Sequence, residues 1–316
     1  MSQLIEAVKK ASKIAIGGHV RPDGDCIGSC MGLYGYIKQN FPEKKVCVYL
    51  EEITENFSYL KQERAFDREG HYDLFLSLDC GDAERLGEAQ AVMEAADYVI
   101  NIDHHITNTK FGDENYVKDV SSTCELLYTM LEEDKISFDV ACALYTGIVH
   151  DTGVFKHSNT TGETMQIAGK LMEKGVPFGK IIDGSFYAKT YKQLQIMGRC
   201  LLESVRIMDG RCIFSVVRKS VMDFYEAKPS DLDGIIDEMR TTEGIEVAIL
   251  LDERELGEYK VSMRSNEIVD VSQIAHYFGG GGHVRAAGCA IKGSAFDVIN
   301  NLTGHIDKQL NERCAE

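Results

Sequence analysis

The sequence predicts an α/β protein: an N-terminal doubly wound, mainly parallel sheet domain, then a smaller C-terminal α/β domain with a mixed sheet. Three observations predict it. First, short β-rich runs alternate with helix-length stretches through the first half, the pattern of βα units. Second, three of those runs stop abruptly in charged residues: 13–18 runs into His19, 74–78 into Asp79, and 98–102 into Asp103-His104-His105. A short β-branched run ending this way reads as a buried strand whose carboxyl end delivers polar groups to the crevice where open α/β sheets bind ligands. Third, the pattern changes near residue 205, where runs 205–208 and 212–217 flank Asp209-Gly210, a hairpin signature.

In chain order, residues 3–11 have helical amphipathicity, and the strand at 13–18 follows. Pro22 and Gly24 then force a turn, with His19, Asp23 and Asp25 on it, and a small-residue helix starts near Cys26. A strand at 45–50 and the strand ending at Asp79 come next, with Asp82 placed to cap a helix. After the 98–102 strand, helices are expected at 121–134 and 138–149. Asp151 precedes a glycine turn at Gly153. Asn159 or Thr161 caps the following helix, or that helix start holds a phosphate. Helical segments at 178–187 and 189–204 lead to the second domain, with helices at 231–241, 271–277 and 295–312 and strands at 245–251, 258–264 and 286–291. Gly279 to Gly282 reads as a flexible turn that lets backbone approach a ligand, with His283 at its end and Arg285 beyond. Arg264 ends a strand, where its fork could grip a phosphate.

Composition limits the function. Hydrophobic residues at 44% and charged residues at 27% are the mix of a globular protein. No run approaches the ~18 apolar residues of a membrane span, and the start lacks a basic, apolar leader, so a cytoplasmic protein is expected. Lys and Arg number 34 against 50 Asp and Glu, a formal charge of −16. That opposes a protein tracking long nucleic acid by backbone charge. The ten cysteines form no CxxC pair and read as reduced core residues.

His19, Asp23, Asp25, Asp79, His104 and Asp151 would repel one another in a crevice without cations. Two divalent metals resolve that, and mixed carboxylate and imidazole donors suit Mn2+, Co2+ or Fe2+ rather than a closed zinc site. A metal pair roughly 3.5–4 Å apart clamps the attacking and leaving oxygens of a phosphoryl displacement.

The motifs His19-x-x-x-Asp23-x-Asp25 with Gly28-Ser29, Leu78-Asp79, Asp103-His104-His105 and His150-Asp151-Thr152-Gly153 resemble those of the DHH phosphoesterases. Gly279 to His283 is similar to the GGGH motif of their associated C-terminal domain. The resemblance covers essentially the whole chain, and the set is far more specific than any motif in it. The nearest likeness is to the two-domain nanoRNase type.

The resemblance implies a metal-binding domain at 1–188, a connecting helix at 189–204 and a substrate-binding domain at 205–316, with the active site in the cleft between domains. It implies one metal on His19, Asp23 and Asp79 and a second on Asp25, Asp79, His104 and Asp151. Asp79 would act catalytically by bridging the pair, with Mn2+ as the metal. His105 would stabilise charge on the scissile phosphate, and Asp103 would orient a histidine. Arg264, His283, Gly281, Gly282, Arg285, Ser158 and Asn159 would bind substrate. The implied activity is hydrolysis of short oligoribonucleotides to 5′-mononucleotides and of 3′-phosphoadenosine 5′-phosphate (pAp) to AMP, in a chain that could pair as a homodimer. A cyclic di-AMP or pApA phosphodiesterase would use the same centre. A catalytically silent nucleotide sensor should lack a ligand, whereas every position here is filled.

Overall fold

A computed structural model describes residues 3–61 and 70–313. Residues 1 and 2, which entered the leader expectation, and Cys314 lie outside them. The chain divides into two compact units, Met1–Ala188 and Lys189–Glu316.

In the first unit, α1 (Gln3–Lys10) leads to β1 (Lys13–Gly17), α2 (Gly24–Asn40) and β2 (Lys45–Tyr49). β3 (Leu74–Leu78), α3 (Ala89–Glu94), β4 (Val99–Asp103) and β5 (Glu114–Val117) follow. Then come α4 (Thr123–Met130), α5 (Phe138–Asp151), α6 (Gly162–Glu173) and α7 (Phe178–Ile181), with a π-helical stretch at Ile182–Tyr187. The strands form an all-parallel sheet in the order β2-β1-β3-β4-β5.

Adjacent strand residues feed two cores. Ile14, Ile16, Val46, Leu76, Ile100 and Ile102 pack with α1, α2, α4, α5 and α6, while Ala15, Cys47 and Phe75 pack with α3. Burial on both faces explains why these strands read as continuous apolar runs. The chain winds outward in opposite directions from β1 and β3, so a crevice opens beyond their carboxyl ends, where ligands bind in such sheets.

The second unit carries α8 (Tyr191–Leu202), β6 (Val205–Ile207), β7 (Cys212–Val217), α9 (Lys219–Phe224), α10 (Ile235–Arg240), β8 (Val247–Glu255) and β9 (Glu258–Ser265). It ends with α11 (Val271–Tyr277), β10 (Gly281–His283), β11 (Ala286–Lys292) and α12 (Ala295–Arg313). Its sheet, in the order β10-β11-β9-β8-β7-β6, is mixed: β7 and β8 are parallel and the other pairs antiparallel.

Several expectations need correction. The glycine run is not a flexible turn: Gly281–His283 is an edge strand paired with β11. A Cβ on Gly282 would lie 2.5 Å from Ala286 O, and one on Gly280 would sit closer still to Gly288 O, so these glycines let two backbones meet. Gly281 faces open space. Asp151 is the last residue of α5 and leads directly into the turn at Gly153, as expected, whereas α2 begins at Gly24, earlier than the expected start near Cys26, with Asp23 as its cap. The helix expected at 121–134 stops at Met130. β5 and α9 were not foreseen: β5 is short and half-buried with no clean alternation, and α9 has six residues.

Candidate metal centre

Asp79 anchors the centre. Its N–H donates to Ile102 O at 3.0 Å, extending the sheet ladder one residue past β3, and its φ of +54° turns the carboxylate into the crevice. A non-glycine residue in the left-handed region costs free energy, and aspartate tolerates it better than most. The carboxylate is buried. One oxygen lies 3.6 Å from His19 Nε2, and the other lies 3.6 Å from His104 Nε2 and 3.7 Å from His105 Nδ1. It also accepts from the Thr123 hydroxyl at 3.0 Å.

The two flanking imidazoles are fixed alike. His19 Nδ1 lies 2.9 Å from Val20 O, and His104 Nδ1 lies 3.3 Å from Val120 O. A carbonyl can only accept, so each Nδ1 carries a proton, and each Nε2, which faces the carboxylates, is the nitrogen a metal would take in exchange for its proton.

Asp25 is fully buried in the first turn of α2. It accepts from Thr123 N at 2.6 Å and Cys124 N at 2.9 Å, so the amino end of α4 helps hold its charge. Asp151 Oδ2, at the end of α5, is 3.0 Å from His104 Nε2. Burial and the charges of Asp79 and Asp151 push Asp25 well above the usual carboxylate range, and burial followed by Asp79 pushes Asp151 up. Burial opposes charge on His104, yet Asp151, Asp25 and Asp79 outweigh it and hold the ring well above its ordinary pKa. This frustration is what divalent cations relieve. Among the described residues, three groups have donor atoms within 4.8 Å of one another: His19–Cys26–Asp79, Asp79–His104–His105 and Asp25–His104–Asp151. The donor chemistry, the imidazole orientations and the mutual repulsion all fit metal ions.

Asp23 is exposed and sits at the edge of this set. Its Oδ1 accepts from Asp25 N and Cys26 N, both at 3.1 Å, and is 3.8 Å from His19 Nε2. Cys26 is buried, as the core reading expects, and its Sγ also lies close to His19 and Asp79. Asp103 Oδ1 is 2.8 Å from His105 Nδ1 and accepts His104 N–H at 2.9 Å, and its other oxygen accepts from Asn108. The Asp103 interaction, ahead of an opposing burial effect, raises the His105 pKa.

Sequence reasoning missed Thr123, which binds both Asp25 and Asp79; the signal was the Ser121-Ser122-Thr123 run at a helix start. It also missed Asn108, for which nothing local gave a sign. Thr161 is the cap of α6, in a capping box with Thr164. Asn159 donates to Ser121 O and Asp151 O, and Ser158 is exposed on the same loop. In the second unit, Arg264 lines a polar cavity of about 310 Å³ with Lys260, Ser262 and Asp252, its Nε 3.4 Å from Asp237. His283 is exposed on β10. Arg285 spends its guanidinium on the carbonyls of Val269 (3.0 Å) and Glu267.

The profile of the DHH family N-terminal domain matches residues 13–148, and that of the DHHA1 domain matches residues 210–312. A bifunctional oligoribonuclease and PAP phosphatase NrnA of Thermus thermophilus is 30% identical over 93% of this chain and 90% of its own length. The chain belongs to the DHH phosphoesterase family. The bifunctional oligoribonuclease and PAP phosphatase NrnA of Bacillus subtilis is 26% identical over 92% of this chain and 93% of its own. The crystal structure of an exopolyphosphatase-related protein from Bacteroides fragilis superposes with a TM-score of 0.84 at 24% identity, covering 96% of this chain and 94% of that one. That likeness bears on the fold alone. As a DHH phosphoesterase the chain is of a metal-dependent kind, and its acid and imidazole groups could bind metal. Among the described residues no helix is long and apolar enough to cross a membrane.

Proposed function

We propose that this DHH phosphoesterase hydrolyses short oligoribonucleotides to 5′-mononucleotides and pAp to AMP in the cytoplasm, using two divalent ions, in practice Mn2+. The observation that carries the reading is the meeting of three metal-capable groups from separate segments around Asp79, at the strand switch point. The names of relatives matched along more than nine-tenths of the chain support the substrate class.

His19, Asp23 and Asp79 would hold one ion and Asp25, Asp79, His104 and Asp151 the other, with Cys26 beside the first. Held there, divalent ions supply positive charge to the scissile phosphate and acidify water. Thr123 steadies Asp79 and, through its N–H, Asp25. Asp103 fixes the His105 ring through Nδ1, which leaves Nε2–H of the protonated ring to donate to a phosphate oxygen as its charge grows. In the second unit, Arg264 and His283 are suited to a terminal phosphate, and the open face at Gly281 lets its backbone approach one. Arg285 and Asn159 would serve by holding structure, and Ser158 is free to reach substrate. A surface of net charge −16 favours substrates carrying few phosphates.

A product time course with Mn2+ on pAp, a ladder of short RNAs and cyclic dinucleotides tests the reading. Release of 5′-mononucleotides from two- to four-nucleotide RNAs and of AMP from pAp is expected. Turnover of cyclic di-AMP or pApA alone would overturn the substrate assignment, and absence of any turnover would overturn the enzymatic reading.

A further inference from the structure

Asn159 lies on the loop between α5 and α6, six residues beyond the His150–Gly153 motif. Its Nδ2 donates two hydrogen bonds, to Ser121 O at 3.0 Å and to Asp151 O at 3.2 Å. Both acceptors belong to segments that carry the metal centre. Asp151 faces His104 from the end of α5. The segment 120–123 fixes the rest: Val120 O meets His104 Nδ1, Thr123 N–H holds Asp25, and the Thr123 hydroxyl holds Asp79. One amide nitrogen therefore ties the helix end that presents Asp151 to the loop that sets Asp25, Asp79 and His104.

The chemistry of this position is narrow. Two carbonyl oxygens need two donors, and one amide nitrogen supplies both without adding charge. The reverse amide orientation would put oxygen against two oxygens, so the assignment is forced. The Oδ1 of Asn159 is buried and accepts from no protein group among the described residues.

We propose that Asn159 is a positioning residue: it sets the separation between Asp151 and the Asp25–Asp79 pair, and through that separation the affinity for divalent metal. The proposal rests on the reading of the cluster as a metal centre. It makes Asn159 a residue that acts through Asp151 and not a substrate contact.

Calorimetric titration of Mn2+ into the metal-free full chain tests it, comparing the wild type with Asn159→Ala and Asn159→Asp, alongside kcat and KM for pAp at saturating Mn2+ and melting in EDTA. Ala should weaken Mn2+ binding by about 10–100-fold, the usual effect of losing a group that orients a ligand. Asp should weaken it more, because its oxygens face two carbonyls. Excess Mn2+ should restore most of the kcat of the Ala variant, with KM for pAp little changed. Mn2+ affinity within twofold of wild type in both variants overturns the proposal, as does a change confined to KM, which would mark a substrate contact. If Asn159→Ala does not fold, Asn159→Gln carries the test. It keeps both donors on an arm one methylene longer, so weakened Mn2+ affinity supports the proposal and unchanged affinity overturns it. A wild type that binds no divalent ion sinks the metal reading itself, a result distinct from equal binding by wild type and variants.

Discussion

Gly147 sits in α5 one turn before Asp151, where a glycine has no intrinsic reason to be. Replacing a mid-helix glycine by alanine ordinarily stabilises by about 1 kcal/mol. Here an added Cβ would lie 2.5 Å from Asp25 Oδ1 and 2.9 Å from Cys124 Cβ, and closer still to Cys124 Sγ. All of these atoms are buried, and the Asp25 carboxylate is pinned by two N–H groups of α4, so it cannot swing aside without losing them. Overpacking of this kind costs about 1–3 kcal/mol, more than the propensity gain returns. The net expectation for Gly147→Ala is a loss of up to about 2 kcal/mol, or up to roughly 8 °C in Tm for a unit of this size. The larger effect should fall on function, because the atom displaced is a proposed metal ligand: Mn2+ affinity should drop at least about 10-fold. Differential scanning fluorimetry in EDTA reads the first quantity and Mn2+ calorimetry the second. Gly169→Ala in α6 is the control, since its Cβ would meet nothing within 4 Å and the variant should be neutral or slightly stabilised. Wild-type Tm and Mn2+ affinity in Gly147→Ala would refute the claim that this close approach sets the Asp25 position.

Asp79→Asn keeps the size and the tolerance for φ near +54° but removes the charge that raises Asp25 and Asp151. Its Tm in EDTA should equal or exceed that of the wild type, while kcat on pAp falls by at least about 10³-fold; a folded variant with near-normal turnover would end the bridging assignment. Mn2+ at 100 times its Kd should add about 2.7 kcal/mol to wild-type stability and far less to this variant, which melting with and without EDTA will show. Arg264→Ala should raise KM for pAp by about 10–100-fold, the scale of a charge-assisted hydrogen bond, with kcat less affected in steady-state kinetics. His150 is packed between Phe57 and Phe186 with Nε2 on Ser185, and burial lowers its pKa to about 4 against an ordinary 6.5. The unfolded chain takes up that proton first, so metal-free stability present above pH 6.5 should be lost as pH falls toward 4, by at most about 3 kcal/mol. His150→Phe keeps an aromatic ring and leaves Ser185 bonded to Ile181 O, so its melting curves should lack that part of the acid slope.

The fold was legible because its signals are local. Apolar runs ending in Asp79 and His104 announce parallel strands with polar carboxyl ends, and Asp209-Gly210 announces its hairpin. What stayed illegible depends on partners distant in sequence. The run Gly279 to Gly282 reads as flexible by composition, but two of its glycines are needed because β11 passes too close for a Cβ. Arg285 reads from sequence as one of the substrate-binding residues the resemblance implies, and its bonds to two backbone carbonyls are visible only in the fold.

The sequence by itself determined most of the inventory: the central strands, the acids and imidazoles that end them, and how negative the surface must be. Only the tertiary structure decided how that inventory is used. It placed Cys26 beside His19 and Asp79 with Asp23 at the exposed edge, put the start of α4 under Asp25, and joined Asp151 to Ser121 through Asn159. The physical reason is range. Strand pattern and turn chemistry act between neighbours along the chain, whereas ligand spacing and the pKa of a buried acid are fixed by groups a hundred residues away that pack within a few ångströms.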